Sequence, residues 1–315
     1  MLDLIGDIHG YAERLEALLR KLGYHKRGSA WRHAERQAVF LGDYVDRGPQ
    51  QLHTVNIVRA MVDDGSAQAI MGNHEYNAVG FATLDAERPG DYLRPRSEKN
   101  SHQHQAFIRE VTLESRQHKE LIAWFKTLPV YLDTGEIRAV HACWHQGYLD
   151  ALAPYLNADH SIKDSAWPIL HDSDSLAHRA VETVLKGTEV QLPDGVFYTD
   201  KDGVQRDTTR TRWWDRAAQT YAGAAIVDEQ LRSLLPQLPL PQTLLYNYDE
   251  LRPVFIGHYW ASGTPRIHTP HIAVLDYSIG KGTPDGKLCA YRWSGEATLS
   301  NDHFVWVDGP PDVHR

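Results

Sequence analysis

The sequence predicts an α/β fold, because a strand, a polar loop and an amphipathic helix follow one another three times within residues 1–80. In the first unit Leu2-Asp3-Leu4-Ile5 leads into Gly6-Asp7-Ile8-His9-Gly10. A helix follows with Leu15, Leu18, Leu19 and Leu22 on one face and Gly23 as its stop. The second unit is Ala38-Val39-Phe40-Leu41, the loop Gly42-Asp43-Tyr44-Val45-Asp46-Arg47-Gly48, and a helix from about Gln50. That helix turns Leu52, Val55, Val58, Met61 and Val62 inward and ends before Gly65. The third unit is a strand over 67–71, the loop Gly72-Asn73-His74-Glu75, and a short helix. In open α/β sheets ligands sit where loops converge at the carboxyl ends of strands. Asp7, His9, Asp43, Asp46, Arg47, Asn73 and His74 all fall there.

Beyond these units the chain reads as one domain, 1–315, carrying two insertions. Residues 82–126 are charged and helical in pattern, with Pro89 and Pro95 breaking the start. Val130-Tyr131-Leu132 and Ile137-Arg138-Ala139-Val140 form paired strands around the turn Asp133-Thr134-Gly135-Glu136, and the second runs into His141-Ala142-Cys143-Trp144-His145. Residues 146–250 lose the strand–helix rhythm and read as a cap or substrate region. Their turn signals are Pro193-Asp194-Gly195 and Asp202-Gly203, and Leu235 to Pro241 is a rigid connector. Here Arg210 and Arg212 stand beside Trp213 and Trp214, which read as core or lid packing ahead of a stacking platform for a base. Strands return at 253–256, 271–276, 287–293 and 303–307.

Composition narrows the classes. A formal charge of −8 leaves no global basic footprint and argues against duplex nucleic acid, although not against a small anion in a local cationic pocket. No stretch approaches the ~18 uninterrupted apolar residues of a membrane span, and no leader pattern precedes Leu2. The two cysteines, Cys143 and Cys289, make no disulfide framework, so a cytoplasmic location is expected.

Two aspartates and an arginine within five residues, Asp43, Asp46 and Arg47, are costly near a core unless they bind something charged. A divalent cation and a phosphate satisfy all three. Asp7, His9 and Asp43 offer oxygens and an imidazole; Asn73, His141 and His258 offer an amide oxygen and two imidazoles. With Asp43 as a bridge, the two sets suit a pair of ions about 3.5–4 Å apart. Mixed nitrogen and oxygen donors suit Mn, Fe, Co, Ni or Zn over all-oxygen Ca or Mg sites. Each short motif alone reads as a turn; their shared position after apolar strands is what singles them out.

With those residues in view, GDIHG (6–10), GDYVDRG (42–48), GNHE (72–75), the strand-end His141 and GHY (257–259) resemble the signature of calcineurin-like metallophosphoesterases, in particular the phosphoprotein phosphatase branch. That branch holds Ser/Thr phosphatases and symmetrical dinucleoside tetraphosphatases. The resemblance implies a four-layer αββα sandwich of mixed sheets flanked by helices. It implies two divalent ions, manganese first, on Asp7, His9, Asp43, Asn73, His141 and His258, with hydrolysis of a phosphate ester by water activated between them. His74 resembles the general acid, Asp46 its orienting carboxylate and Arg47 a phosphate clamp; Asn73, Arg210 and Arg212 are further substrate contacts. The expected substrate is a phosphorylated small molecule, a nucleotide or a phosphoprotein. A broad or protein-type phosphatase ranks first, dinucleoside tetraphosphate hydrolysis second, and a non-catalytic metal-binding scaffold is the rival of another class.

The sequence departs from that family where His-Gly-Gly or His-Ala-Gly gives way to His141-Ala142-Cys143, which puts Cys143 and Trp144 where substrate is expected to approach. His145 reads as structural. The Gly280-Lys281-Gly282-Thr283 and Gly286-Lys287 run fails the spacing of a phosphate loop.

Overall fold

The computed structural model describes residues 1–199, 205–241, 248 and 251–311; Asp202-Gly203 lies outside them. Two mixed sheets pack face to face. In the first, the strands Leu2–Ile5, Gln37–Phe40 and Ala67–Ala69 run parallel, as their helical connections require. Lys287–Trp293 adds antiparallel to Leu2–Ile5 and pairs in turn with Asp276–Tyr277 and Phe304–Asp308. The second sheet has the order Ile272–Val274, Val254–Ile256, Arg138–Val140, Tyr131–Asp133, with only the last pairing antiparallel.

Alternation along each strand divides the core. Leu4 and Val39 meet Ala139, Phe255 and Ala273 between the sheets, whereas Ile5, Ala38 and Phe40 face the helices on the other side. Over that outer face lie α1 (Ala12–Leu22), α2 (Gln51–Asp63) and α3 (Asn73–Ala82). The leucine stripe of α1 is fully buried, each side chain contributing roughly 1.5–3 kcal/mol of apolar burial. This helix ends in a left-handed Gly23, whose N–H donates to the Arg20 carbonyl while that of Tyr24 donates to Leu19.

Two expected strands come out differently. The third stops at Ala69, because the Met71 N–H turns away to the Pro129 carbonyl. The 271–276 run is broken: Ile272–Val274 belongs to the second sheet and Asp276–Tyr277 to the first, with Leu275 bonding Ile256 at the crossing. A single stretch thus ties the two sheets together.

Residues 82–126 contain the helices Glu98–Gln103, Gln105–Glu110 and Arg116–Phe125; Ser97 and Ser115 cap the first and third. After His141 the chain forms Gln146–Leu152 and Leu176–Lys186, then pairs Glu189–Gln191 with Thr208–Arg210. Trp213 and Trp214 are buried. Trp213 Nε1 donates to the Ala142 carbonyl at 3.2 Å and Tyr259 Oη at 2.9 Å, and Trp214 packs edge-on to Tyr259, so both are packing residues. Among the described residues no helix is long and apolar enough to cross a membrane.

Candidate metal centre

The three loops at the strand ends are locked together before any side chain acts. Ile8 and His9 donate backbone N–H groups to the Asp43 carbonyl, Gly10 donates to Tyr44, and Gly48 donates back to His9. His9, Asp43, Asp46, Arg47 and His258 all have positive φ, from 49° to 71°. Non-glycine residues hold that left-handed conformation only where their surroundings over-determine it, and such strain gathers at functional sites. One agent here is Glu75, to which the sequence reading gave no role. Its buried carboxylate accepts from the N–H groups of Asp43, Tyr44 and Gly72 at 2.8, 2.8 and 3.0 Å. Burial, with Asp43 alongside, pushes its pKa up to about 7. Gly72 must be glycine because a Cβ would collide with the Asp43 backbone nitrogen and carboxylate. Gly72→Ala is accordingly expected to lower stability by about 1–3 kcal/mol and to weaken metal binding; denaturant unfolding and metal titration on the same sample check both.

The six expected ligands converge. His9 Nδ1 is engaged by the Val45 carbonyl at 3.1 Å and His141 Nδ1 by Leu41 at 2.7 Å, so each ring turns Nε2 to the centre. His9 Nε2 lies 3.6 Å from Asp43 and 3.9 Å from Asp7. His141 Nε2 lies 3.4 Å from Asp43 and 3.1 Å from Asn73 Oδ1, which also meets His258 Nδ1 at 2.8 Å. The Asp7 carboxylate accepts from the His258 N–H. These groups fit divalent cations on two counts. Free imidazole nitrogens and carboxylate oxygens face one another in a buried space. In addition, burial and the neighbouring carboxylates of Asp276 and Asp43 hold Asp7 well above the usual carboxylate range. Among the described residues, side-chain atoms able to hold an ion cluster in two groups, His9–Asp43–His74 and Asp43–His141–His258, with Asp43 in both and His74 in the first where Asp7 was expected.

Beside the centre, His74 Nδ1 is 2.6 Å from Asp46 Oδ2, and the His74 backbone N–H donates to Asp43 Oδ1 at 3.0 Å. Burial alone lowers the His74 pKa, but Asp43 and Asp46 outweigh it and raise the value. The Arg47 guanidinium rests over the Trp260 ring, 4.5 Å from its centroid. A cavity of about 320 Å³ opens above these residues, and its wall carries Arg47, Arg94, Lys99, Lys186 and Arg210.

Sequence reading missed Arg94, Lys99, His104 and Lys186, which lie far from every motif. It also paired Arg210 with Arg212, and the structure separates them. Arg210 lines the cavity, whereas Arg212 donates to the Gly223 carbonyl and lies 3.8 Å from Asp215. The strand Thr208–Arg210 ends between them, so strand alternation does not carry over to Arg212, whose backbone N–H turns to the Ala224 carbonyl. Cys143 and Trp144 do not crowd the substrate path. Both are buried, Trp144 edge-on to Tyr131 and beneath Arg138, and burial pushes the Cys143 thiol far up. His145 caps the helix Gln146–Leu152, its Nδ1 accepting from the Tyr148 N–H.

The chain belongs to the calcineurin-like phosphoesterase family, whose model matches residues 2–189. Among curated proteins it is similar to the bis(5'-nucleosyl)-tetraphosphatase PrpE [asymmetrical] of Oceanobacillus iheyensis, with 45% identity over 74 residues, 23% of this chain and 30% of that one. The same-named protein of Geobacillus sp. (strain WCH70) is 32% identical over 160 residues, 47% of this chain and 59% of that one. The matches therefore span less than two thirds of those relatives. A crystal structure of a putative diadenosine tetraphosphatase aligns over 98% of this chain and 93% of its own, at 17% identity and a TM-score of 0.48.

Proposed function

We propose that the protein is a metal-dependent phosphoesterase whose preferred substrate carries several phosphates in a row, as a dinucleoside polyphosphate does. The observation that carries this reading is the cationic wall. Arg94 is held by the neutral amide oxygens of Asn77, Asn100 and Gln103 at 2.9–3.0 Å, with no carboxylate among these bonds. A largely buried guanidinium fixed in that way keeps its charge for an anion. Beyond Arg47 the wall adds Arg94 and Lys99, together with Lys186 and Arg210 beside their own partners Glu182 and Glu189, and this run of cations suits a longer anion. This reverses the order drawn from the sequence, and the names of the relatives agree with the reversal. In this reading residues 82–126 and 146–250 are the substrate-selecting parts of one domain, since they supply all four of those cations. The buried, unpaired thiols of Cys143 and Cys289 fit a reducing cytoplasm.

Asp7, His9 and Asp43 would hold one divalent ion; Asp43, Asn73, His141 and His258 would hold the other, manganese being first choice ahead of iron, zinc, cobalt and nickel. When bound, such ions supply Lewis-acid stabilisation of a phosphoryl oxygen. Arg47, braced by Trp260, takes two phosphate oxygens in a fork. His74, with Nδ1 tied to Asp46, presents Nε2 to the departing oxygen and holds the proton it needs.

Purified protein with added Mn²⁺ is expected to hydrolyse p-nitrophenyl phosphate, a phosphopeptide and diadenosine tetraphosphate, with the highest kcat/KM on the last. Release of ADP alone, or of ATP with AMP, tells symmetrical from asymmetrical cleavage. Arg94→Ala should raise KM for diadenosine tetraphosphate about tenfold, the worth of one charge-assisted contact, and leave p-nitrophenyl phosphate within about twofold. Bound metal with no hydrolysis of any substrate supports the scaffold instead. Equal losses on both substrates remove the case for a long anion.

A further inference from the structure

We infer that His104, contributed by the helical insertion, is a positioning residue for the proton donor, through the carboxylate that both histidines share. The inference rests on the phosphoesterase reading above. Asp46 divides its two oxygens between two imidazoles: Oδ2 meets His74 Nδ1 at 2.6 Å and Oδ1 meets His104 Nδ1 at 2.7 Å. Its own N–H donates to Gln51 Oε1 at 2.6 Å, which fixes the backbone from a third direction.

A carboxylate with one engaged oxygen can swing about its Cβ–Cγ bond and carry its partner with it. With both oxygens taken by planar donors, that rotation would break a second charge-assisted bond. The His104 ring is itself immobilised, stacked on Phe107 with centroids 4.8 Å apart and set edge-on to Phe81 at 5.4 Å. It is 5% exposed, and its Nε2 is buried with no hydrogen-bond partner among the described residues. Nothing there receives a hydrogen, so the ring is suited to the Nδ1–H tautomer that Asp46 accepts. Holding Asp46 square to His74 keeps the His74 Nε2 aimed over the metal centre, within 3.8 Å of Asp43. A donor set even an ångström off line loses much of its effect, which makes this distant residue part of the reaction geometry.

A merely structural histidine would behave differently, and leaving groups separate the two. In His104→Leu, kcat for phenyl phosphate, whose poor leaving group needs a proton, is expected to fall at least tenfold with KM little changed. For 2,4-dinitrophenyl phosphate, which leaves without help, the change should stay within about threefold. His104→Asn places an amide N–H near the old Nδ1 and should restore most of the loss. Without metal, ¹⁵N-histidine NMR should show a protected His74 Nδ1–H in the wild type and in His104→Asn, and an exchange-broadened one in His104→Leu. Equal losses on both esters, no loss on either, or an unchanged His74 signal in His104→Leu overturns the inference. A wild type inert toward both esters sinks the phosphoesterase reading instead, and the NMR comparison then decides the positioning by itself.

Discussion

Asp43→Asn is expected to abolish tight metal binding and turnover together. Asp43 is the one residue common to both ligand clusters: its carboxylate lies 3.4–3.8 Å from the Nε2 atoms of His9, His74 and His141. The three imidazoles hold it ionised well below the usual carboxylate range although burial opposes them. An asparagine fits the same space and still accepts the His74 backbone N–H, so the loop should keep its shape. What disappears is one negative charge and one of two ligand oxygens, in a buried site where each counts most. Loss of several kcal/mol of metal and transition-state stabilisation corresponds to a fall of at least about 10³ in kcat/KM. Metal analysis after dialysis, beside kcat/KM on diadenosine tetraphosphate, checks both halves. Two retained ions with near-normal turnover would show that Asp43 bridges nothing.

The loops that hold this centre were legible because their signals are local. The apolar runs Leu2–Ile5 and Ala38–Leu41, and the spacing of Leu15, Leu18, Leu19 and Leu22, each need only a few neighbouring residues to be read. Asp7, His9, Asp43 and Asn73 then fall at strand ends by chain order, and His141 and His258 follow from strands of the second sheet. The cavity wall had no such signal. Arg94 is distinguished by amides at Asn77, Asn100 and Gln103, and His104 by an aspartate 58 residues earlier. The Asn77 and Asp46 pairings exist only once the insertion has packed against α3 and the loop that carries Asp46. Glu75 stood inside a quoted motif, yet its work is on backbone N–H groups of another loop, which no side-chain pattern records. The crossing at Leu275 was hidden for a related reason: a continuous apolar run does not say which sheet each half will join.

His74 stands where it can act as proton donor or as metal ligand, since its ring falls in one of the two clusters. Its bonding favours the donor. Nδ1 is committed to Asp46 at 2.6 Å, a carboxylate that draws a proton onto the ring. Asp43 and Asp46 raise its proton affinity although burial opposes them, so the ring is suited to carry the proton that a leaving group takes. His74→Asn is therefore expected to bind the same number of ions as the wild type while kcat for phenyl phosphate falls about 10²- to 10⁴-fold. Turnover of 2,4-dinitrophenyl phosphate should fall far less. Two readings of one variant, metal content and leaving-group dependence, divide the alternatives. A lost ion makes His74 a ligand, and an undiminished rate on the poor leaving group removes its role as acid. With ions kept and only the poor leaving group stranded, the proton comes from His74.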